Sequence, residues 1–175
     1  MFICMQELTF IDEDDAISHL EEAFQSTDCF DSSRFLAMLD AAISQFPTSA
    51  EIWCLRGRGL ELWSGEATFS KDDYRACYER AIEIDPGCAE AHQELAYLLD
   101  VYYEDFVASE QRFRTAIALG GGVESHVGLA RVLAQVGRSD EAIAVLSEKH
   151  CPFANDAEVV RMRREILLGE WSPRS

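Results

Sequence analysis

Four histidines, at positions 19, 92, 126 and 150, are the residues best suited to acid–base or metal chemistry near neutral pH. Both tasks need a second reactive group at a recognisable spacing. His92 and His126 instead each begin the same pattern, His-x-x-Leu-Ala-x-x-Leu, which indicates a packing role. Motifs of zinc proteases, serine hydrolases and phosphate-binding loops are absent. We therefore expect no catalytic residues, no cofactor and no metal.

Carboxylates, glycines and cysteines support the same expectation. The acidic run at 12–15 lacks the alternating ligand frame of a calcium loop and is typical of a helix start. The run Gly120-Gly121-Gly122 lacks the Lys and Ser/Thr of a phosphate loop and reads as a helix stop. The six cysteines contain no C-x-x-C pair, so we expect reduced thiols, most of them in the core.

The charge of the chain limits its partners. Among 175 residues, 32 Asp and Glu stand against 15 Lys and Arg, for a formal net charge of −17. Such a surface repels nucleic acids and anionic membranes. Residues 1–51 carry 11 acids against one base, Arg34, so the acidic character is strongest at the N-terminal end. We expect a protein partner that is basic or amphipathic.

A repeated pattern of helix pairs organises the chain. The histidine pattern recurs at an offset of 34 residues, and a similar order of residue types begins at Ile52. Each copy is followed by a second segment with apolar or small residues at helical spacing, including one over 142–149. Two helices joined by a short turn can bury such stripes against each other. The pattern predicts an all-α protein built from stacked helix pairs.

The copies resemble tetratricopeptide repeats. The residues that carry this resemblance are Trp53, Gly57, Tyr78, Ala81 and Pro86 in one copy, His92, Leu95, Ala96, Phe113 and Ala116 in a second, and His126, Leu129, Ala130, Ala142 and Leu146 in a third. The resemblance implies a right-handed α-solenoid of about four helix pairs with a C-terminal capping helix. The sequence departs from the family pattern at Arg56, Ser109 and Lys149.

The predicted boundaries follow from the repeats. We expect an N-terminal tail over 1–11 and a repeat domain over 12–155, with repeats at about 12–48, 49–86, 87–121 and 122–155. A capping helix over 156–170 and a tail over 171–175 complete the prediction. A cap is needed because the last unit of a repeat array would otherwise expose its apolar face.

The resemblance also implies a binding groove lined by the first helix of each pair. Its outward positions fall on Glu51, Cys54, Arg58, Glu61, Leu62, Glu90, Gln93, Tyr97, Asp100, Val101, Glu124, Val127, Arg131, Ala134 and Gln135. From these we select as partner-binding residues Arg58, Glu90, Gln93, Tyr97, Glu124, Arg131 and Gln135. The Lys and Asn residues that clamp a terminal carboxylate in tail-binding members of the family are missing.

The expected function is a non-catalytic scaffold or adaptor that binds a peptide or helical segment in this groove. The alternatives are a small acidic chaperone for secreted or aggregation-prone clients, a cryptic enzyme or metal-binding protein, and a self-associating unit. A basic-flanked apolar leader is missing from the start of the chain, so we expect a cytoplasmic protein.

Overall fold

A computed structural model describes residues 9–25, 32–62 and 69–171, and within these ranges all regular structure is helical. The helices are α1 (Glu13–Gln25), α2 (Ser32–Gln45), α3 (Ala50–Glu61), α4 (Lys71–Ile84), α5 (Ala89–Tyr103), α6 (Phe106–Ala118), α7 (Val123–Gln135), α8 (Ser139–Val145) and α9 (Ala157–Leu167). None of these helices is long and apolar enough to cross a membrane.

The chain divides between Pro86 and Gly87 into two compact units. The first unit holds α1 to α4, and α3 packs against each of the other three helices. Its core contains Leu20, Phe35 and Leu39, all buried. Within the pair α3–α4, the ring of Tyr78 approaches Gly57 so closely that a Cβ there would lie 2.4 Å from a ring carbon. A small residue at position 57 is therefore required by packing.

Helix ends in the first unit are fixed by local side chains. Ser49 precedes α3 and its hydroxyl accepts a hydrogen bond from the N–H of Ile52 at 3.3 Å. Ser70 and Asp73 form a reciprocal capping box at the start of α4. These caps satisfy backbone donors that have no partner inside the helix.

The second unit holds α5 to α9. Helix α5 packs on α6 and α7, and α7 packs on α6, α8 and α9. We call α5, α7 and α9 the inner helices of this unit, and α6 and α8 the outer helices. The core between them includes Phe113, Leu133, Leu146 and Val159, all fully buried.

Glycines end α6 and α9 in the left-handed conformation. Gly120 has φ 95°, and the N–H of Gly121 donates to the carbonyl of Ala116 at 2.8 Å. Gly169 has φ 76°, and the N–H of Glu170 donates to the carbonyl of Glu165 at 3.1 Å. Such turns end a helix and reverse the chain, so that the residues that follow contact the last turn of the helix.

Most residues that carry the tetratricopeptide resemblance are buried, as their proposed packing role requires. Trp53 is half-buried and Pro86 is exposed. The buried ones are Gly57, Tyr78, Ala81, His92, Leu95, Ala96, Phe113, Ala116, His126, Leu129, Ala130, Ala142 and Leu146. Cysteines 54, 77, 88 and 151 are not in disulfides, and all but Cys88 are buried. Cys4 and Cys29 lie outside the described residues.

Two sequence-based expectations about the second unit are wrong. The helix predicted over 142–149 ends at Val145, and the chain then turns so that Cys151 and Ala154 are buried instead. Trp171, assigned to the tail, packs against the core because the Gly169 turn carries it back there. Its indole N–H donates to Glu165 at 3.0 Å.

Phe10 corrects the prediction at the other end. The sequence places it in an N-terminal tail, whereas it packs against the core of the first unit. Its backbone N–H donates to the side-chain oxygen of Gln45 at 3.1 Å. Residues 1–8 of the predicted tail lie outside the described part of the chain.

Candidate partner-binding site

A pocket of about 320 Å³ opens at the C-terminal ends of the inner helices α5 and α7 in the second unit. We call it the Arg131 pocket. Its lining residues are Asp100, Val101, Glu104, Phe106, Arg131, Gln135 and Trp171. Asp100, Val101, Arg131 and Gln135 stand at outward positions implied by the tetratricopeptide resemblance.

A buried ion pair lies in the wall of this pocket. The guanidinium of Arg131, whose side chain is 20% exposed, contacts the carboxylate of Asp100, whose side chain is 3% exposed. Burial raises the pKa of the Asp100 carboxyl, and the charge of Arg131 together with its hydrogen bond offsets part of that rise. The pair therefore fixes a positive and a negative group at the pocket with little net charge.

Tyr97 joins this ion pair to the core. Its hydroxyl donates to the backbone carbonyl of Glu124 at 2.7 Å, and its ring meets Phe113 edge-on at 4.9 Å between centroids. The guanidinium carbon of Arg131 lies 5.1 Å from the centre of the ring, within cation–π distance. Burial is the main cause that raises the pKa of the Tyr97 phenol. Arg131 is thus held on two sides, by Asp100 and by Tyr97.

The remaining predicted residues of the second unit lie on the same two helices. The Ser125 hydroxyl donates to the side-chain oxygen of Gln93 at 2.6 Å, which links α5 to α7. Glu90 is half-buried in the first turn of α5, and Glu124 is exposed in the first turn of α7. Gln135 lines the Arg131 pocket, and its buried Oε1 accepts no hydrogen bond from the described residues.

Arg58 belongs to the first unit. Its guanidinium carbon lies 5.1 Å from the centre of the Phe24 ring. Glu51, at the start of the same helix, is exposed. The predicted site residues therefore fall into Arg58 in one unit and six residues of α5 and α7 in the other.

Three of the outward positions assigned from the resemblance are wrong. Cys54, Val127 and Ala134 are buried rather than presented to a partner, at 0%, 5% and 1% exposure. Asp100 is also buried, but it reaches the Arg131 pocket through its ion pair.

Three residues that line the pocket were not predicted from the sequence, namely Glu104, Phe106 and Trp171. The turn after α5 brings Glu104 and Phe106 to the pocket, and the chain reversal after α9 brings Trp171 there. The only signal available in the sequence was Gly169, a residue type that commonly ends a helix and returns the chain.

A second pocket, of about 400 Å³, lies against the outer helices of the same unit. Its floor is apolar, with Ile117, Leu129 and Val145. Beside it, Arg114 and Arg138 each pair with both Glu110 and Glu141 in a closed ring that joins α6 to α8. The four charged side chains beside this pocket are therefore paired with one another within the protein.

No cluster of three or more His, Cys, Asp or Glu in the described ranges is arranged to hold a metal ion. His126 is the most enclosed of the pocket histidines, and its Nδ1 lies 2.9 Å from the carbonyl of Gly122. Its ring meets Phe153 edge-on at 5.7 Å between centroids. These contacts are those of a histidine that packs inside the second unit, as its place in the repeat predicts.

Solved structures share this arrangement of helices over most of the chain. Two crystal structures of MamA align over 90% and 91% of this chain and 76% and 78% of theirs, with TM-scores of 0.60 and 0.59 and 13% and 14% identity. The chain has the tetratricopeptide-repeat fold. A thermophilic TPR protein in Thermus thermophilus aligns over 90% of both chains, with a TM-score of 0.59 and 17% identity.

The fold class predicted from the repeats, all-α and tetratricopeptide-like, is thereby confirmed. No protein-family model matches the chain, and no curated protein matches it either. The fold is established by structure, while the groove residues remain a prediction.

Proposed function

We propose that this tetratricopeptide-repeat chain is a non-catalytic interaction module that binds a peptide or helical segment across the inner helices α5 and α7. The observation that carries the proposal is the Arg131 pocket. It combines a fixed ion pair, an open apolar residue, Val101, and two aromatic side chains, Phe106 and Trp171, on one face. Four charged or polar residues, Asp100, Glu104, Arg131 and Gln135, line the pocket beside these three apolar ones. Polar groups that converge beside apolar surface can fix the orientation of a bound group.

The size of the pocket favours a side chain of a larger partner. Its volume of about 320 Å³ is near the lower end of the roughly 300–1,000 Å³ found for small-ligand sites. A peptide or helix can insert one anchoring residue into such a pocket and lay its neighbours along the helices beside it. Glu124, which is exposed on α7, and the partly exposed Gln93 and Tyr97 on α5 lie on the same two helices and can contact those neighbours.

Two exposed valines of the second unit make a matched test. Val101 lines the Arg131 pocket and is 58% exposed, whereas Val107 is 71% exposed at the start of α6 and does not line it. The tagged protein is first used to purify partners from its native cells, and the partner is then produced in pure form. Its affinity is measured by isothermal titration calorimetry for the wild type, Val101→Lys and Val107→Lys.

We expect Val101→Lys to weaken binding at least tenfold, because the long side chain occupies the pocket entrance, and Val107→Lys to change it less than twofold. Equal affinities for the two variants would refute the proposed face. A third variant, Arg58→Glu, tests the first unit separately. Weaker binding there would show that the partner also reaches α3.

A further inference from the structure

Resting on the function proposed above, we infer that the Arg131 pocket receives one arginine or lysine side chain of the partner. The pocket is lined by two aromatic residues and by a carboxylate, that of Glu104, in addition to the Asp100–Arg131 pair. These are the groups that recognise a cationic side chain in proteins.

The charges in the pocket leave one negative group unbalanced. Asp100 and Arg131 neutralise each other through their ion pair. Across the described ranges, the carboxylate of Glu104 makes neither an ion pair nor a hydrogen bond. Gln135 adds an amide oxygen that accepts no hydrogen bond from the part of the chain that the structure describes. An incoming guanidinium or ammonium group would satisfy both acceptors.

The left-handed backbone conformation of Glu104 indicates that a carboxylate at this position has a function. Glu104 has φ 52° and ψ 28°, and in the described part of the chain it is the one residue other than glycine with a positive φ. It ends α5, and the N–H of the next residue, Asp105, donates to the carbonyl of Leu99 at 3.0 Å. Glycine adopts this conformation without strain, and helices commonly end on it. The chain instead holds a carboxylate at this strained position, on the rim of a pocket.

The aromatic residues come from two different helix ends. Phe106 begins α6, directly after the Glu104 turn. Trp171 is placed by the Gly169 turn and by its hydrogen bond to Glu165. A cation near the face of an aromatic ring gains electrostatic attraction, most strongly with tryptophan.

Arg131 does not oppose this assignment. Its guanidinium contacts Asp100 and lies over the ring of Tyr97, so its charge is compensated within the protein, although its buried Nε makes no hydrogen bond to the described residues. An acidic side chain would instead meet the carboxylate of Glu104. The net charge of −17 favours approach of a basic segment as well.

The test is an NMR titration of the full-length ¹⁵N-labelled protein with four probes. These are N-acetylargininamide, N-acetyllysinamide, N-acetylglutamate amide and N-acetylalaninamide. The reporter is the indole N–H signal of Trp171, assigned by its loss in Trp171→Phe. Glu104→Gly is the test variant, and Glu148→Gly, at an exposed turn residue of the same unit, is the matched control.

We expect the arginine and lysine probes to shift the Trp171 signal with saturation, and the other two probes to leave it unchanged. Glu104→Gly should weaken binding about fivefold or more, while its thermal midpoint stays equal to that of the wild type or rises. Glu148→Gly should bind like the wild type. A shift by the glutamate probe, or unchanged affinity of Glu104→Gly, would overturn the inference.

The two proposals can fail separately. If the basic probes give no shift while Val101→Lys still loses the purified partner, the cation assignment is wrong and the interaction face stands. If the probes bind but Val101→Lys keeps the partner, the pocket takes cations and the proposed face is wrong.

Discussion

Replacing Arg131 by methionine should expose the cost of the buried carboxylate of Asp100. Methionine keeps an unbranched side chain of similar reach but removes the guanidinium that contacts Asp100 and covers the Tyr97 ring. The carboxylate, 3% exposed, then lacks its cation. Breaking one side of a buried ion pair costs about 3–5 kcal/mol.

Protonation limits this penalty. Protonating a carboxyl group with an unfolded pKa near 3.9 costs about 4 kcal/mol at pH 7 and about 1.5 kcal/mol at pH 5. The Arg131 side chain is 20% exposed, so in its absence water can replace part of the electrostatic stabilisation that it gives the Asp100 carboxylate. We therefore expect Arg131→Met to lower the free energy of unfolding by about 2–4 kcal/mol at pH 7 and by about 1.5 kcal/mol or less at pH 5.

The sign of the pH dependence follows from the pKa of Asp100. Burial already raises it above the unfolded value, and removing Arg131 raises it further. The folded variant then keeps a proton that the unfolded chain releases, so its stability falls as pH rises from about 4 toward the raised pKa. Urea denaturation followed by far-UV circular dichroism at pH 5 and pH 7 measures the difference from the wild type.

Two further variants complete the design. Arg131→Met combined with Asp100→Leu removes both charges and should recover most of the loss, because an apolar pair can replace a buried ion pair. Arg138→Met removes a guanidinium that is 42% exposed and should lower the free energy of unfolding much less than Arg131→Met does, because exposed ion pairs contribute little to stability. A loss for Arg131→Met that matches Arg138→Met and does not change with pH would refute the buried pair.

Three other predictions concern packing and reactivity in the two units. A Cβ at Gly128 would lie 2.3 Å from the Phe113 ring, so Gly128→Ala should lose about 1 kcal/mol of stability. Overpacking costs about 1–3 kcal/mol against a gain of about 1 kcal/mol in helix propensity, and a more stable variant in urea denaturation would contradict this. The Ser109 hydroxyl donates to the carbonyl of Ala96 at 2.8 Å, so Ser109→Ala should cost about 1 kcal/mol. An unchanged thermal midpoint would speak against that hydrogen bond. Burial raises the pKa of Cys77 to about 11, so maleimide at pH 8 should leave Cys77 unmodified in the folded protein and label it in urea. Rapid labelling of the folded protein, read by mass spectrometry, would show that this thiol is accessible.

The helix pairs could be predicted from the sequence because a repeat imposes equivalent environments. Gly57 and Tyr78 illustrate this, since the expected close approach of two helices is where the ring meets the glycine. Tyr97 and Arg131 also occupy equivalent places in successive copies, and the structure stacks one over the other. Repetition thus predicts which positions neighbour each other along the inner helices.

The Arg131 pocket could not be predicted in this way because its contacts join non-equivalent positions. Asp100 pairs with Arg131, 31 residues away, whereas the repeat offset is 34. Glu104 takes a left-handed conformation that sequence patterns favour for glycine. Trp171 reaches the pocket only because the chain reverses at Gly169, beyond the last repeat.

Hydrogen–deuterium exchange of the chain with and without its purified partner tests the central claim, that the inner helices of the second unit are the binding face. The proposed face predicts slower exchange on binding in peptides covering 97–104 and 131–135, with little change over 110–118 and 139–145. Protection confined to the outer helices α6 and α8, with α5 and α7 unchanged, would contradict it.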